Sequence, residues 1–228
     1  MQKAVNENAQ DIFGLGGIRI DGAIFDLDGV LVDTAKYHYL AWKRLAAELG
    51  FYFSEDHNER LKGVSRMRSL DILLETGGVT MSLDKKEEAA ARKNAWYVEY
   101  LYTLDESALL PGAKEFLVRL RENGIRIALG SASKNSPLIL ERLNIAGFFH
   151  AVIDGNTVSK AKPDPEVFLK GAASLGIAPE RCVVFEDALA GLEAAKAGKM
   201  AVIAVGKREN LPGADRYISS LADMLNQY

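Results

Sequence analysis

The chain has 228 residues, of which 48% are hydrophobic and 26% are charged, and its formal net charge is -3. This composition is typical of a soluble globular protein and excludes a collagen-like chain, a fully disordered chain and a small disulfide-rich scaffold. With 28 basic residues against 31 acidic ones, the chain has no overall positive field that would attract nucleic acid or an anionic membrane.

The cysteine content and the N-terminal segment indicate the cellular compartment of the protein. Cys182 is the single cysteine, so the chain forms no internal disulfide. No apolar run approaches the roughly 20 residues of a membrane helix, and the N-terminus lacks the pattern of a signal peptide. We therefore expect a cytoplasmic protein. Residues 1–17 are polar with a glycine-rich end, and we expect a flexible extension there.

The first predicted strand is a short apolar run at residues 23–25. The segment 34–110 then lacks strand-like runs and instead has helical spacing of apolar residues, at 35–49, 66–74 and 83–102. Pro111 and Gly112 mark its end. We predict that residues 34–110 form a helical domain inserted after the first strand.

From residue 111 onward, amphipathic segments alternate with short apolar runs. The predicted helices cover residues 113–123, 136–143, 165–175 and 190–197. The predicted buried strands cover residues 125–129, 151–153, 183–185 and 201–205. This alternation predicts an α/β fold in which residues 18–33 and 111–228 build a parallel sheet covered by helices on both faces.

Acidic residues follow two of the predicted strands. Asp26 and Asp28 come after the first, and Glu186 and Asp187 after the strand at 183–185. An Asp-Gly turn and a helix N-cap are the structural alternatives for these pairs. Because ligands of parallel sheets bind beyond the carboxyl ends of the strands, we expect the four acids at one edge. A cation would offset their repulsion, and oxygen ligands suit Mg²⁺.

Hydroxyl and cationic groups follow other strands. Ser131, Ser133, Lys134 and Asn135 come after the strand at 125–129, and Lys162 precedes Pro163. Ser133 as a helix cap and Lys162 as a solvated loop charge are the structural alternatives. A hydroxyl, amides at a helix start and a lysine are the groups that bind a phosphoryl oxygen. Together with the acids, they indicate phosphoryl transfer.

The sequence FDLDGV at residues 25–30, followed by Asp33 and Thr34, resembles the first signature motif of the haloacid dehalogenase superfamily. Ser131, Lys162 and the pair 186–187 resemble its second, third and fourth signatures, in the correct order. The resemblance implies a Rossmann-like core with a helical cap domain inserted after the first strand. This agrees with the pattern of predicted elements.

The same resemblance implies a role for each polar residue. It makes Asp26 the nucleophile that carries an aspartyl phosphate, and Asp28 the general acid and base. Ser131 and Lys162 hold the transferring phosphoryl group. The implied cofactor is Mg²⁺, with the Asp26 carboxylate, the Asp28 main-chain carbonyl, Glu186 and Asp187 as its ligands.

Four further segments are similar to the β-phosphoglucomutase family: residues 34–42, 61–66, 92–94 and 132–135. The similarity implies that Arg66, with the amides of Gly63 and Val64, binds the phosphate that is not reacting. The implied substrate contacts on the core side and near the cap hinge are Ala132, Ser133, Lys134, Asn135 and Lys93.

His38 has both a functional and a structural interpretation. The similarity implies that it couples cap closure to the position of Asp28, whereas a lone histidine on a helix is more often a partly buried structural residue. Lys93 is likewise either a gating partner near the cap hinge or a solvated helix charge.

The resemblance implies an enzyme that uses Mg²⁺ to interconvert β-D-glucose 1-phosphate and β-D-glucose 6-phosphate. The route runs through an aspartyl-phosphate enzyme and glucose 1,6-bisphosphate. The alternative is a sugar-phosphate phosphatase with the same nucleophile. A phosphoacceptor signalling module is disfavoured, because the nucleophile follows the first strand and a helical insertion comes after it. We expect a monomer that acts on a small sugar phosphate, with no nucleic-acid or membrane partner.

Overall fold

The computed structural model describes residues 11–61 and 64–226. Its centre is a parallel sheet of six strands in the order β3-β2-β1-β4-β5-β6. The strands are β1 (Gly22–Phe25), β2 (Arg126–Gly130), β3 (Ala151–Ile153), β4 (Cys182–Glu186), β5 (Ala201–Val205) and β6 (Arg216–Ile218). The predicted α/β class and parallel sheet are confirmed. The short edge strand β6 was not predicted, because its sequence RYI contains no apolar run.

Helices cover both faces of the sheet. Those of the core are α5 (Ala113–Glu122), α6 (Ser136–Arg142), α7 (Glu166–Leu175) and α8 (Leu189–Ala197). Successive strand residues point to opposite faces. Ala23 and Phe25 therefore belong to the cluster that contains α5 and α6, while Ile24 belongs to the cluster with α7 and α8. The fully buried central strands explain why the strands appear as continuous apolar runs in the sequence.

Helices alone fill the described part of the segment between β1 and α5, apart from short turns. They are α1 (Ala35–Glu48), α2 (Glu55–Glu59), α3 (Arg66–Gly77) and α4 (Leu83–Leu101). The polar helix α2 was not predicted. A capping box between Ser54 and His57 stabilises its N-terminus. Where the chain leaves and re-enters the sheet domain, the Leu110 amide donates to the Leu31 carbonyl at 2.9 Å. The exact domain boundaries at residues 33/34 and 110/111 stay a prediction.

The N-terminal segment differs from the expected flexible extension over the residues that are described. Ile12, Phe13 and Leu15 are buried, and the ring of Phe13 lies 6.3 Å from that of Phe185, measured between centroids. Asp11 accepts hydrogen bonds from the amides of residues 15–17, which closes the segment into a compact turn. The apolar residues of this arm cover the sheet beside β4. Residues 1–10 lie outside the described residues.

Within the described residues, we find no helix that combines the length and the apolar character required to cross a bilayer.

Candidate active site

The pairing of β1 with β4 brings the first carboxylates together. Phe25 lies opposite Phe185 in the parallel register, so Asp26 and Glu186 are neighbours at the carboxyl end of the sheet. The Asp26 amide donates to the Phe185 carbonyl at 3.0 Å and continues the ladder by one residue. Asp26, Glu186 and Asp187 each offer a carboxylate oxygen, and these oxygens lie within 4.8 Å of one another. These three acids thus converge at one edge of the sheet, as predicted.

Lys162 lies between two of these carboxylates. Its Nζ is 2.5 Å from Asp26 Oδ1 and 2.8 Å from Glu186 Oε2, and the side chain is 1% exposed. The alternative of a solvated loop charge is therefore wrong. Burial lowers the pKa of Lys162, but the charges of Asp26 and Glu186 raise it further, and the net pKa lies above the usual 10.5. Lys162 is thus a permanent cation beside the predicted nucleophile.

The acidic cluster fits a divalent cation. One lysine faces three close carboxylates, and carboxylate oxygens are the ligands that Mg²⁺ prefers. Burial raises the pKa of Glu186, and the nearby charge of Lys162 opposes that rise. The backbone is shaped around these side chains, because a Cβ at Gly29 would overlap the Asp187 carboxylate and one at Gly191 would overlap that of Glu186.

The alternative in which Asp187 caps a helix is not what the structure has. Ala188 occupies the N-cap position of α8, and its amide donates to Glu186 Oε1 at 3.1 Å. Asp187 thus belongs to the acidic cluster.

Asp28 takes part in a different set of contacts. Thr34 occupies the N-cap position of α1, yet its hydroxyl makes no capping bond and donates to Asp28 Oδ1 instead. The Tyr97 hydroxyl lies 2.9 Å from Thr34 Oγ1, which completes a chain of hydroxyls that leads to the carboxylate.

The pKa of Asp28 is raised to about 7. Burial is the largest cause, the charges of Asp26 and Asp33 add to the rise, and the hydrogen bond from Thr34 opposes it. A carboxyl with a pKa near neutrality can both give and take a proton, so Asp28 suits general acid and base catalysis.

The loop after β2 brings four of the predicted substrate groups to the same edge. Ser131 is buried, and its hydroxyl accepts a hydrogen bond from the Ser133 amide at 3.1 Å. The Ser133 hydroxyl accepts from the Asn135 amide at 3.2 Å, which holds the turn that leads into α6. Ala132 and Lys134 complete the loop, and residues 131–135 all line the cavity described below.

On the helical side, the buried Lys93 pairs with the half-buried His38. Lys93 Nζ lies 2.9 Å from His38 Nδ1, although the two residues belong to α1 and α4. Burial lowers the pKa of Lys93, and the positive charge of Arg66 lowers it further. Burial also lowers the pKa of His38, with the charges of Lys93 and Arg66 acting in the same direction. The interpretation of Lys93 as a solvated helix charge is therefore wrong, and burial favours the neutral form of His38.

Arg66 is the first residue of α3, and Val64 precedes it by two positions. Both residues line a cavity of about 890 Å³ that also contains Asp26, Asp28 and Lys162. Gly63, predicted to contribute an amide, lies outside the described residues. The cavity thus has an acidic floor with one lysine, and a helical wall that carries cations.

Tyr97 and Asn94 were missed from the sequence. Asn94 Oδ1 accepts a hydrogen bond from Asn135 Nδ2 at 2.9 Å, and this bond joins the helical wall to the sheet domain. Tyr97 follows Lys93 by four residues and so lies on the same face of α4. That spacing is the signal that could have found Tyr97, whereas Asn94 lies in the segment 92–94 that the resemblance marked without giving Asn94 a role.

Comparison with known proteins gives the same family as the motifs. The model of the haloacid dehalogenase-like hydrolase family matches residues 20–199. A β-phosphoglucomutase of Bacillus subtilis is 43% identical over 203 residues, which cover 88% of this chain and 90% of that protein. A phosphorylated carbohydrates phosphatase of Thermotoga maritima is 34% identical over 180 residues, covering 78% and 81% respectively.

A crystal structure of β-phosphoglucomutase from Clostridium difficile superposes with a TM-score of 0.87 at 40% identity, and the match covers 90% of this chain and 92% of that one. The predicted family, fold and enzyme class are thereby confirmed. The chain belongs to the haloacid dehalogenase-like hydrolase family, and within it the chain is similar to β-phosphoglucomutases.

Proposed function

We propose that the chain is a Mg²⁺-dependent phosphomutase that interconverts β-D-glucose 1-phosphate and β-D-glucose 6-phosphate. In this proposal Asp26 is the nucleophile, Asp28 is the general acid and base, and glucose 1,6-bisphosphate is the intermediate. The similarity to two β-phosphoglucomutases supports the reaction class.

One observation carries the proposal most directly, namely that cationic groups lie on two sides of a single cavity. Lys162 contacts the Asp26 carboxylate on the sheet side, while Arg66 lines the helical wall of the same cavity. A mutase must hold one phosphate at the nucleophile and a second one elsewhere, because both are present in the bisphosphate. A guanidinium suits the second position, since it binds phosphate oxygens with two parallel hydrogen bonds.

The reaction is a double transfer at Asp26. With Asp26 phosphorylated, Asp28 takes the proton of a sugar hydroxyl, and the oxygen of that hydroxyl attacks the phosphorus. The bond from phosphorus to Asp26 breaks, and the bisphosphate forms. After the bisphosphate has turned around, Asp26 attacks its other phosphate, and Asp28 returns the proton to the released sugar oxygen. The pKa of about 7 at Asp28 fits both proton transfers.

Charge on the phosphoryl oxygens is offset during each transfer. Lys162 supplies a cation that is already desolvated and oriented, so it needs little reorganisation. When bound by Asp26, Glu186 and Asp187, Mg²⁺ supplies further positive charge beside the phosphoryl group. The Ser131 hydroxyl offers a donor to the same oxygens.

Water must be kept from the aspartyl phosphate for the mutase to outrun hydrolysis. The Asn94–Asn135 bond joins the helical wall to the sheet domain directly above the loop at residues 131–135. Closure of the helical segment over the cavity would exclude water from Asp26. In this proposal His38 and Lys93 couple that closure to Asp28, whose negative charge partly offsets the lowering of the Lys93 pKa by burial.

The test supplies β-D-glucose 1-phosphate, Mg²⁺ and a catalytic amount of glucose 1,6-bisphosphate. Glucose 6-phosphate and inorganic phosphate are measured in the same reaction. We expect glucose 6-phosphate to accumulate with little phosphate released. Stoichiometric phosphate without glucose 6-phosphate would overturn the mutase and favour the phosphatase.

A pair of arginine variants tests the second phosphate site. Arg66→Ala should lower the mutase rate far more than the hydrolysis of acetyl phosphate, which has one phosphate only. Arg68→Ala is the matched control, because Arg68 lies on the same helix but is exposed and pairs with Glu75 at 3.0 Å. Equal loss of both activities in Arg66→Ala would argue against a distal phosphate site.

A sugar-phosphate phosphatase with the same nucleophile is the second candidate. The similarity to the phosphatase from Thermotoga maritima favours it, because that relative shares 34% of its residues over most of both chains. In this case water takes the place of the sugar hydroxyl in the transfer from phosphorylated Asp26. Asp28 takes a proton from that water, the bond from phosphorus to Asp26 breaks, and inorganic phosphate is released. The product measurement above separates the two candidates.

A further inference from the structure

The helical wall of the cavity contains a polar side chain that is buried and unsatisfied. Asn58, in α2, is 7% exposed, and its Oδ1 has no hydrogen-bond partner within the described ranges 11–61 and 64–226. The other buried polar groups of the site are engaged: Asp26 and Glu186 contact Lys162, and Lys93 contacts His38. Asn58 is therefore exceptional among the buried polar residues of this cavity.

A buried carboxamide oxygen without a hydrogen-bond partner costs free energy, and native proteins rarely keep one unless a ligand or water satisfies it. The side chain of Asn58 lines the same cavity as Arg66 and Asp28. Rotation about its terminal torsion exchanges the oxygen and the nitrogen, because that torsion is broad and roughly two-fold. The residue can thus present an acceptor or a donor to whatever occupies the cavity.

The chemistry of the group indicates which part of a substrate it meets. A neutral carboxamide matches a hydroxyl, which both donates and accepts, better than it matches a phosphate, whose oxygens only accept. Cations for phosphate are already present at Arg66 and Lys162. Asn58 lies in α2, which belongs to the helical wall, and it lines the same cavity as the acidic residues Asp26 and Asp187.

We infer that the carboxamide of Asn58 binds one hydroxyl of the sugar ring and thereby selects sugar phosphates over phosphate esters that lack a ring. This inference rests on the proposed function to the extent that the substrate is a sugar phosphate. It does not depend on whether the sugar phosphate is isomerised or hydrolysed.

The test couples a change in the protein to a change in the substrate. Asn58→Leu removes the carboxamide while keeping the same branched arrangement of side-chain heavy atoms. The substrates are β-D-glucose 1-phosphate, a set of monodeoxy analogues that each lack one ring hydroxyl, and acetyl phosphate. The matched control is Asn210→Leu, because Asn210 is exposed and does not line the cavity. The measured quantity is kcat/KM, followed as loss of substrate.

We expect Asn58→Leu to lower kcat/KM for the full sugar phosphate by about 10- to 100-fold relative to its effect on acetyl phosphate. For one deoxy analogue, the wild-type protein should show a comparable loss, and Asn58→Leu should add almost nothing to it. The remaining deoxy analogues should lose the same factor in both proteins. Asn210→Leu should match the wild type throughout.

Two results would overturn the inference. One is an equal loss for the sugar phosphate and for acetyl phosphate, which would make Asn58 a structural residue of the wall. The other is a loss that is independent of every ring hydroxyl, which would indicate a contact with phosphate or with the protein.

A failure of the mutase proposal would appear differently, as phosphate release in place of glucose 6-phosphate by the wild-type protein. If Asn58→Leu does not fold, Asn58→Ala is measured in the same way, with the thermal unfolding midpoint as the folding control.

Discussion

Gly29 is the position where a single methyl group should separate backbone strain from loss of the metal site. Its φ is +82°, a left-handed conformation that favours glycine. A Cβ built there would also overlap the Asp187 carboxylate, with Asp187 Oδ1 at 3.1 Å and the other carboxylate atoms closer. Gly29→Ala therefore imposes two penalties, one on the backbone and one on a member of the acidic cluster.

The two penalties have different magnitudes and consequences. Placing alanine in the left-handed region costs about 1–2 kcal/mol in the free energy of unfolding. The overlap with Asp187 adds about 1–3 kcal/mol if the site resists, since overpacking in a fixed structure has that cost. If the carboxylate turns away instead, the cluster loses one of three oxygen donors, and we expect Mg²⁺ affinity to fall about 10- to 100-fold.

Gly50→Ala is the matched control for the backbone effect. Gly50 has nearly the same φ, +85°, but a Cβ there meets no atom within 4 Å. Gly50→Ala should therefore lower the free energy of unfolding only by the cost of the left-handed backbone conformation, with no change in Mg²⁺ binding. Isothermal titration with MgCl₂ gives the affinity of each variant, and urea unfolding with and without Mg²⁺ gives the stability and its dependence on the metal.

If Gly29→Ala and Gly50→Ala bind Mg²⁺ equally well and unfold at the same urea concentration, then the contact between Gly29 and Asp187 has no role in the site. An affinity loss in both variants would point to a change in the whole protein instead.

Three further predictions concern other parts of the molecule. Asp26→Asn should abolish both mutase turnover and phosphate release, measured with the coupled product assay; substantial residual turnover would refute the nucleophile. Phe13→Ala should lower the free energy of urea unfolding by about 2–4 kcal/mol, because the buried ring packs near Phe185; a loss below about 0.5 kcal/mol would show that the arm is not part of the core. Burial lowers the pKa of His38 below 6.5, so the unfolded chain binds a proton that the folded protein does not, and stability falls as pH falls below 6.5. His38→Asn should reduce this dependence by up to about 1.4 kcal/mol per pH unit, and unfolding measured at several pH values would contradict the assignment if the slopes of the two proteins were equal.

The strands of the core were predictable because they are buried on both faces. β3 and β5 have the bounds expected from their apolar runs. β1 begins one residue earlier than predicted, and β2 and β4 differ by one residue at each end. The elements that were missed have no apolar pattern of their own. β6 exists through pairing with β5, and α2 exists through the capping box at Ser54. Tertiary pairing and side-chain caps lie outside what periodicity can detect.

The N-terminal arm, described from residue 11 to residue 17, was also not predictable from the local sequence. Its glycines and polar residues suggest flexibility, yet Ile12, Phe13 and Leu15 are buried against the sheet domain. Three apolar residues in a polar segment are a weak local signal. Their burial depends on an uncovered patch beside β4, which only the folded protein has.

For the site, the sequence by itself predicted which residues carry the chemistry. Four acids, namely Asp26, Asp28, Glu186 and Asp187, follow predicted strands, and Lys162 precedes a proline. The topology of a parallel sheet brings the carboxyl ends of its strands to one edge. Their order and residue types were enough to predict phosphoryl transfer and a cation site. The local sequence contains this information because it specifies strands, and parallel strands share an edge.

Only the tertiary structure decided how those groups interact. Two sets of contacts join residues that are far apart in the sequence: the hydroxyl chain from Tyr97 through Thr34 to Asp28, and the Lys93–His38 pair. The unsatisfied carboxamide oxygen of Asn58 is marked by no sequence motif. Burial then sets the charge of each group, raising the pKa of Asp28 and lowering those of Lys93 and His38. Desolvation depends on everything that packs around a side chain, and no stretch of sequence contains that information.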